Sequence, residues 1–318
     1  MTKLRISIII CTRDRVAHLR ETLRSLSGVD VPPDVTSELI VVDNASTDDT
    51  PQMVAAFPME NIPVRLVREP RPGQSRARNT GLAASEGDII LFTDDDIRFP
   101  VDWLEVMCRP LRTGVAEAVA GSVVLAPHLV RPWMEPVHRY WLAATGPDAP
   151  GRKHILVGAN MAFLRTVLAR VPGFDPALGP GALGFADDTL FSRQLWAAGF
   201  NTVLEETAAV EHHFQPERLT RTSLLDAARK RGETMAYVAH HWEHRTIGFP
   251  AVRMAHKRLQ VALWRQRHPR ELAEAEGLMS GELYNLEAYH FYRHLLNERK
   301  KPRVYSKQGL VKTSGENV

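Results

Sequence analysis

The first hundred residues alternate between two hydrophobic periods, and that alternation restricts the fold more than any other feature. "LRISIII" is rich in β-branched residues and reads as a buried strand, and "ELIVVDN", "PVRLVRE" and "DIILFTD" read as three further strands. Between them, "RVAHLRETLRSL" carries Val16, Leu19, Leu23 and Leu26 at helical spacing. "STDDTPQMVAAF" opens with Ser46 or Thr47 as a cap ahead of Pro51, and "QSRARNTGLAAS" reads as a helix ending near Gly87. "PVDWLEVMCRPL" is a helix started by Pro100. Strands alternating with helices imply βαβ units. The expected class is α/β, with a Rossmann-like, mostly parallel central sheet flanked by helices. With 318 residues, 44% hydrophobic and 24% charged, the chain has enough apolar mass for a sizeable core.

Ligands of such sheets bind beyond the carboxyl ends of the strands. Here those ends read "CTRDR", "VDNAST" and "TDDD", which brings Asp14, Asp43, Asp94, Asp95 and Asp96 to one edge. A single acid at a strand end is an ordinary turn or cap residue. Three acidic strand ends on one edge suggest a hard divalent cation, which takes oxygen ligands and could bridge to a diphosphate. No Gly-rich loop of the dinucleotide or Walker type is present, so a metal is favoured as the phosphate handle. A second cluster, "GFADDTLFSRQLWAAGF", puts Asp187 and Asp188 in the first turn of a helix that Gly199 stops. Both acids could simply complement the helix dipole, or one could be a general base. In "EHHFQPERL" a histidine could be a metal ligand, an acid/base group or a surface residue.

Taken in order, "ISIIICTRDR", "LIVVDNASTD", "GQSRARNTGLAASEGDIILFTDDD", "GANMAF", "GFDPALGPG", "DDTLFSRQLWAAGF" and "EHHFQPERL" resemble the family 2 glycosyltransferases of the GT-A fold, over residues 4–220. The resemblance implies a domain at 1–220, with a nucleotide-binding half at 1–115 and an acceptor and catalytic half at 116–220. It implies that "TDDD" corresponds to a DXD motif, in which carboxylates hold Mn²⁺ or Mg²⁺ against the diphosphate of a nucleotide-sugar. Thr12, Arg13 and Asp14 then lie along the nucleotide, with Asp14 where many members have Glu. Asp43 is expected on the base or ribose, and Arg76 and Asn79 near the base and diphosphate. Asp94 and Asp95 are expected on the sugar and the metal. Gly158, Ala159 and Asn160 would line the sugar and acceptor. Asp188, the second acid of the Asp187–Asp188 pair, would be the general base, and Arg193 structural or phosphate-facing. The implied metal set is Asp95, Asp96 and His212, with Asp94 and His213 as alternates. The implied reaction is inverting transfer from a nucleotide-sugar, a UDP-sugar first, to a carbohydrate or lipid-linked hydroxyl in bacterial surface polysaccharide or glycoconjugate synthesis. The QXXRW motif of processive synthases is absent, so transfer is expected to be non-processive. A sugar-nucleotide nucleotidyltransferase and a non-catalytic binding module are the alternatives. The first usually carries a Gly-rich phosphate loop that "IIICTRDRVAHL" lacks, and the second has no need of Asp94, Asp95 and Asp188 together.

Residues 221–302 read as a helical extension and 303–318 as a flexible tail. Arg253, Lys257, Arg258, Arg265, Arg267 and Arg270, with Leu259, Leu263 and Trp264 interleaved, describe a basic amphipathic helix. Such a helix can lie on an anionic membrane, or be the solvated face of a helix packed on the sheet. Specificity is expected in loop residues such as 125–153 and in the C-terminal region. A net charge of +3, from 40 basic and 37 acidic residues, gives no reason to expect a nucleic-acid partner. Two distant cysteines, Cys11 and Cys108, suggest a reduced compartment. No apolar run reaches the roughly 18 residues of a membrane span, so a cytoplasmic protein, peripheral at most to the inner membrane face, is expected.

Overall fold

Strand β1 (Leu4–Thr12) is central: Ile6, Ile8, Ile9 and Ile10 are all buried, because both faces of the strand are covered. The computed structural model describes residues 3–145, 155–270, 274 and 276–313. In it β1 pairs in parallel with β2 (Val35–Asp43) and β4 (Ile89–Asp94), and β2 with β3 (Val64–Arg68). Helices α1 (Val16–Ser27), α2 (Thr50–Ala55) and α3 (Gln74–Ala84) make the crossovers. Ser46 and Thr47 do not cap α2, whose N-cap is Asp49; they bond to the loop after β1 instead.

Beyond β4 the chain forms β5 (Ile97–Arg98), α4 (Trp103–Arg112), β6 (Ala118–Leu125), α5 (Pro136–Trp141), β7 (Asn160–Leu164), α6 (Asp187–Ala197) and β8 (Thr202–His212). The sheet order is β3-β2-β1-β4-β7-β6-β8-β5. β7 runs antiparallel to β4 and β6, β5 antiparallel to β8, and β6 parallel to β8. This half is therefore mixed: strands and helices still alternate, but β7 inserts between β4 and β6 and runs antiparallel to both. One sheet face buries Trp103, Leu104 and Met107 of α4 with Leu19 and Leu23 of α1. The other buries a cluster of rings, Phe92, Phe163, Phe174 and Phe191, with centroids 4.6–6.1 Å apart.

The extension is α7 (Arg221–His241), α8 (Pro250–Arg267) and α9 (Ser280–Glu298). Gly232 lets α7 and α9 approach closely; a Cβ there would stand 2.4 Å from the Glu287 carbonyl oxygen. The tail is not loose up to Thr313. The hydroxyls of Tyr237 and Tyr305 both donate to Asp175 Oδ2, at 2.8 and 2.9 Å, and Lys312 pairs with Asp175 Oδ1 at 2.6 Å. A polar composition hid one buried aromatic anchor, Tyr305. Residues 314–318 of the tail, and 146–153 of the expected specificity loop, lie outside the described residues. Among the described residues, no helix is long and apolar enough to cross a membrane.

Candidate active site

A cavity of about 650 Å³ opens at the carboxyl ends of β1 and β4. Strand register builds it: Thr12 pairs with Asp43, and Cys11 with Asp94. From there the three consecutive acids diverge. Asp94 ends β4 and faces the cavity, 3.6 Å from Arg78 Nη2 and 3.3 Å from the Gln74 amide nitrogen, which donates to it. Burial raises Asp94 above the usual carboxylate range, against the pull of Arg78.

Asp95 also lies at the cavity and is held by two neighbours. Its Oδ2 accepts from the Thr12 hydroxyl at 2.7 Å and its Oδ1 pairs with Arg15 Nη1 at 2.8 Å. Burial pushes it up to about 7, with Arg15 opposing. Asp96 Oδ2 takes the other guanidinium nitrogen of Arg15 at 2.6 Å. Its Oδ1 is buried, has no hydrogen-bond partner, and stands 3.3 Å from Nε2 of His212. Burial alone would raise Asp96, but His212 and Arg15 outweigh it and hold the group well below the usual range.

The two-residue strand β5 makes this meeting possible, because Ile97 pairs with His212 on β8. His212 Nδ1 lies 2.9 Å from the Leu142 carbonyl, which can only accept. Nδ1 therefore carries a hydrogen, and Nε2 is the ring nitrogen turned to Asp96. A proton on Nε2 or a metal ion between the two atoms would join them. A carboxylate and an imidazole are a donor pair that suits Mn²⁺, and the imidazole is less suited to Mg²⁺. The expected triple of Asp95, Asp96 and His212 is not assembled. Among the described residues no group of three acidic, histidine or cysteine side chains has metal-binding geometry. The reason is that Thr12 and Arg15 occupy Asp95.

Across the cavity, the two acids at the start of α6 differ sharply. Asp187 is 5% exposed and locked to Arg78 Nη1 at 2.5 Å. Arg78 is itself buried, with its guanidinium carbon 5.4 Å from the Phe174 ring centre. Gly158 is required beside it, because any Cβ would fall 1.7 Å from Arg78 Nη2. Asp188 is half-buried, lines the cavity, and has no ion pair among the described residues. Its oxygens accept from the Gly158 N–H at 3.1 Å and the Thr189 N–H at 2.6 Å. These bonds aim the carboxylate without neutralising it, leaving lone pairs for a further donor.

Several expected residues do other work. Arg13 lines the cavity. Asp14, at φ 52, accepts from the Thr47 N–H at 2.6 Å, and buried Asp43 accepts from the Ser46 N–H at 2.9 Å. Both shape loops, and Asn44 rather than Asp43 lines the cavity. On α3 the cavity-facing residues are Gln74, Ala77 and Arg78, one helical face, so Arg76 and Asn79 point elsewhere. Asn79 clamps Phe174 through both of its backbone polar groups at 2.8 Å. Ala159 is buried and accepts from the Thr93 hydroxyl. Arg193 pairs with Glu243 at 2.7 Å, and His213 with Glu211 at 3.1 Å. The cations missed in the sequence are Arg15, Arg78 and Arg218, together with Lys230 and Arg231 of α7, all at the cavity.

Asn160 is also displaced from its expected role. It is fully buried, accepts from Trp103 Nε1 at 3.0 Å, and donates to the carbonyls of Ser122 and Ala208 at 2.9 and 2.8 Å. Asn160→Ala would orphan all three partners, at about 1–3 kcal/mol for each buried group left unsatisfied. Urea denaturation is expected to show that loss, while nucleotide affinity of the folded variant stays unchanged. A loss of affinity without a loss of stability would restore the sugar-lining role.

Comparison with known proteins agrees with this architecture. The model of the family described as Glycosyl transferase family 2 matches residues 7–171. The Rhizobium meliloti succinoglycan biosynthesis protein ExoM is 37% identical over 121 residues, 38% of this chain and 39% of that protein. The chain therefore aligns with well under half the length of this curated relative. A Pyrobaculum calidifontis mannosyltransferase, PcManGT, solved with GDP-Man and Mn²⁺, superposes with a TM-score of 0.55 at 20% identity, covering 94% of this chain and 74% of that one. Staphylococcus aureus TarS residues 1–349, solved with UDP, gives 0.51 at 15% identity, with 91% of each chain covered. At these identities the superpositions establish a shared fold.

Proposed function

The chain belongs to glycosyltransferase family 2, and from that premise we propose that it transfers one sugar from a nucleoside-diphosphate sugar to a hydroxyl of a carbohydrate or lipid-linked acceptor, with inversion at the anomeric carbon. A UDP-sugar is the first candidate donor, and GDP- and dTDP-sugars follow. Synthesis of bacterial surface polysaccharide or glycoconjugate is the setting, in keeping with the similarity to a succinoglycan biosynthesis protein.

One observation carries the reading. The cavity holds Asp188, a carboxylate with no ion pair among the described residues, together with an orphaned Asp96 oxygen facing His212. Asp188 takes the proton of the acceptor hydroxyl. The oxygen so exposed bonds to the anomeric carbon as the bond to the diphosphate breaks with its electron pair, and the configuration inverts. Asp187 cannot share this role while Arg78 holds it. Arg13, Arg15 and Arg218 place positive charge on the donor side, and Asp94 with Gln74 offers hydrogen bonds to sugar hydroxyls. A divalent ion, Mn²⁺ before Mg²⁺, held by Asp96 and His212 would neutralise charge developing on the leaving diphosphate.

Thermal shift tests this reading with UDP, GDP and dTDP, each with Mn²⁺ or EDTA. A ligand at about 100 times its Kd adds about 2.7 kcal/mol, several degrees for a domain of this size. One nucleotide is expected to stabilise the wild type in the presence of Mn²⁺, and Asp96→Asn or His212→Ala to abolish the Mn²⁺-dependent part. No shift with any nucleotide would remove the donor site from the account.

A further inference from the structure

We propose that α8 docks the protein on the surface of an anionic lipid bilayer. The helix has two unlike faces. One packs on α9: Val261 is buried, Arg265 pairs with Glu282 at 2.7 Å, and Lys257 donates to Asn285 at 2.9 Å. The opposite face carries Val252, Leu259 and Leu263, spaced by seven and four residues and so aligned in one stripe. Phe249 precedes them by one turn. These side chains are 81% (Phe249), 66% (Val252), 56% (Leu259) and 40% (Leu263) exposed. Phe249 is also held at φ 50, a conformation that a bulky residue ahead of proline adopts only under constraint.

Charge selects the occupant. From Thr246 to Arg270 there is no acidic residue, while Arg253, Lys257, Arg258, Arg265, Arg267 and Arg270 are all present. Arg253, Arg258 and Arg267 are exposed, flank the stripe, and have no ion pair among the described residues. A second copy seated on this face would set one basic helix against another, with no acid to separate them. An anionic bilayer instead offers hydrocarbon to the stripe and negative headgroups to the flanking arginines. The inference rests on α8 alone and stands apart from the transfer reaction.

Co-sedimentation of the full chain with vesicles tests it. Binding is expected to phosphatidylcholine vesicles containing about one third phosphatidylglycerol, and not to phosphatidylcholine alone. It should weaken as salt rises from ~0.1 to ~0.5 M. Leu259→Glu with Leu263→Glu, and separately Arg253→Glu with Arg258→Glu, should each reduce partitioning by about tenfold or more. Both sets lie on exposed positions, so far-UV circular dichroism and nucleotide-induced thermal shift should be unchanged. Failure of the wild type to bind the anionic vesicles would overturn the proposal. So would equal binding by both variants, or a concentration-dependent dimer that the leucine variant loses.

Discussion

Asp188→Asn is expected to lower the transfer rate by about 10²–10⁴-fold, the usual contribution of a positioned general base. The amide keeps the shape but has one oxygen, so it can accept from only one of the Gly158 and Thr189 N–H groups, which bond to different oxygens of Asp188, and it cannot take a proton from an acceptor hydroxyl. The N–H left without an acceptor should cost at most about 1–3 kcal/mol of stability, and nucleotide binding should hardly change. Asp187→Asn should behave differently. It weakens the buried pair with Arg78, so its first effect is on stability. Steady-state kinetics and urea denaturation of the two variants side by side separate a reacting carboxylate from a structural one.

Arg78→Met should produce the largest loss of stability. The guanidinium is the only cation paired with buried Asp187 among the described residues, and it also faces Asp94 and stacks over Phe174. Removing one partner of a buried pair leaves an uncompensated charge, at a cost of about 3–5 kcal/mol. The deficit should depend on pH. Burial already pushes Asp187 up to about 6 against the pull of Arg78, and without the guanidinium the carboxyl moves higher still. The folded variant then keeps a proton that the unfolded chain releases near its ordinary value. Stability accordingly falls as pH rises between the two values, so the deficit is smaller at pH 5 than at pH 8. Urea denaturation at both pH values measures this, and Asp187→Leu placed on Arg78→Met should recover part of the loss.

β1, β2 and β4 were legible because burial on both faces writes a continuous apolar run, as in Ile8–Ile10 and Ile89–Phe92, whereas β3 is an edge strand with Arg65, Leu66 and Arg68 exposed. The start of α6 was legible because paired acids before an apolar helical face mark a helix N-terminus. The meeting of Asp96 with His212 rests on β5, whose two residues are too few to show any period. The two histidines in "EHHF" were distinguishable only by register, since Ile97 pairs with His212 and leaves His213 beside Glu211. "QSRARN" held the right answer in a form that helical phase could have read: a face that begins at Gln74 continues through Ala77 and Arg78, not through Arg76 and Asn79. Nothing local marks Arg15 as the partner of Asp95 and Asp96, because those contacts span about eighty residues of chain. Asn160 shows a different limit: a polar residue at a strand end looks the same whether it faces a ligand or three buried partners.

The most direct measurement is release of nucleoside diphosphate from a panel of nucleotide-sugars with Mn²⁺ and a mixed carbohydrate acceptor, for wild type and Asp188→Asn together. The account predicts release from one donor by the wild type, loss of nearly all of it in the variant, and unchanged donor binding by the variant. Release at the wild-type rate by Asp188→Asn, or release from no donor by a wild type that binds nucleotide, would contradict it.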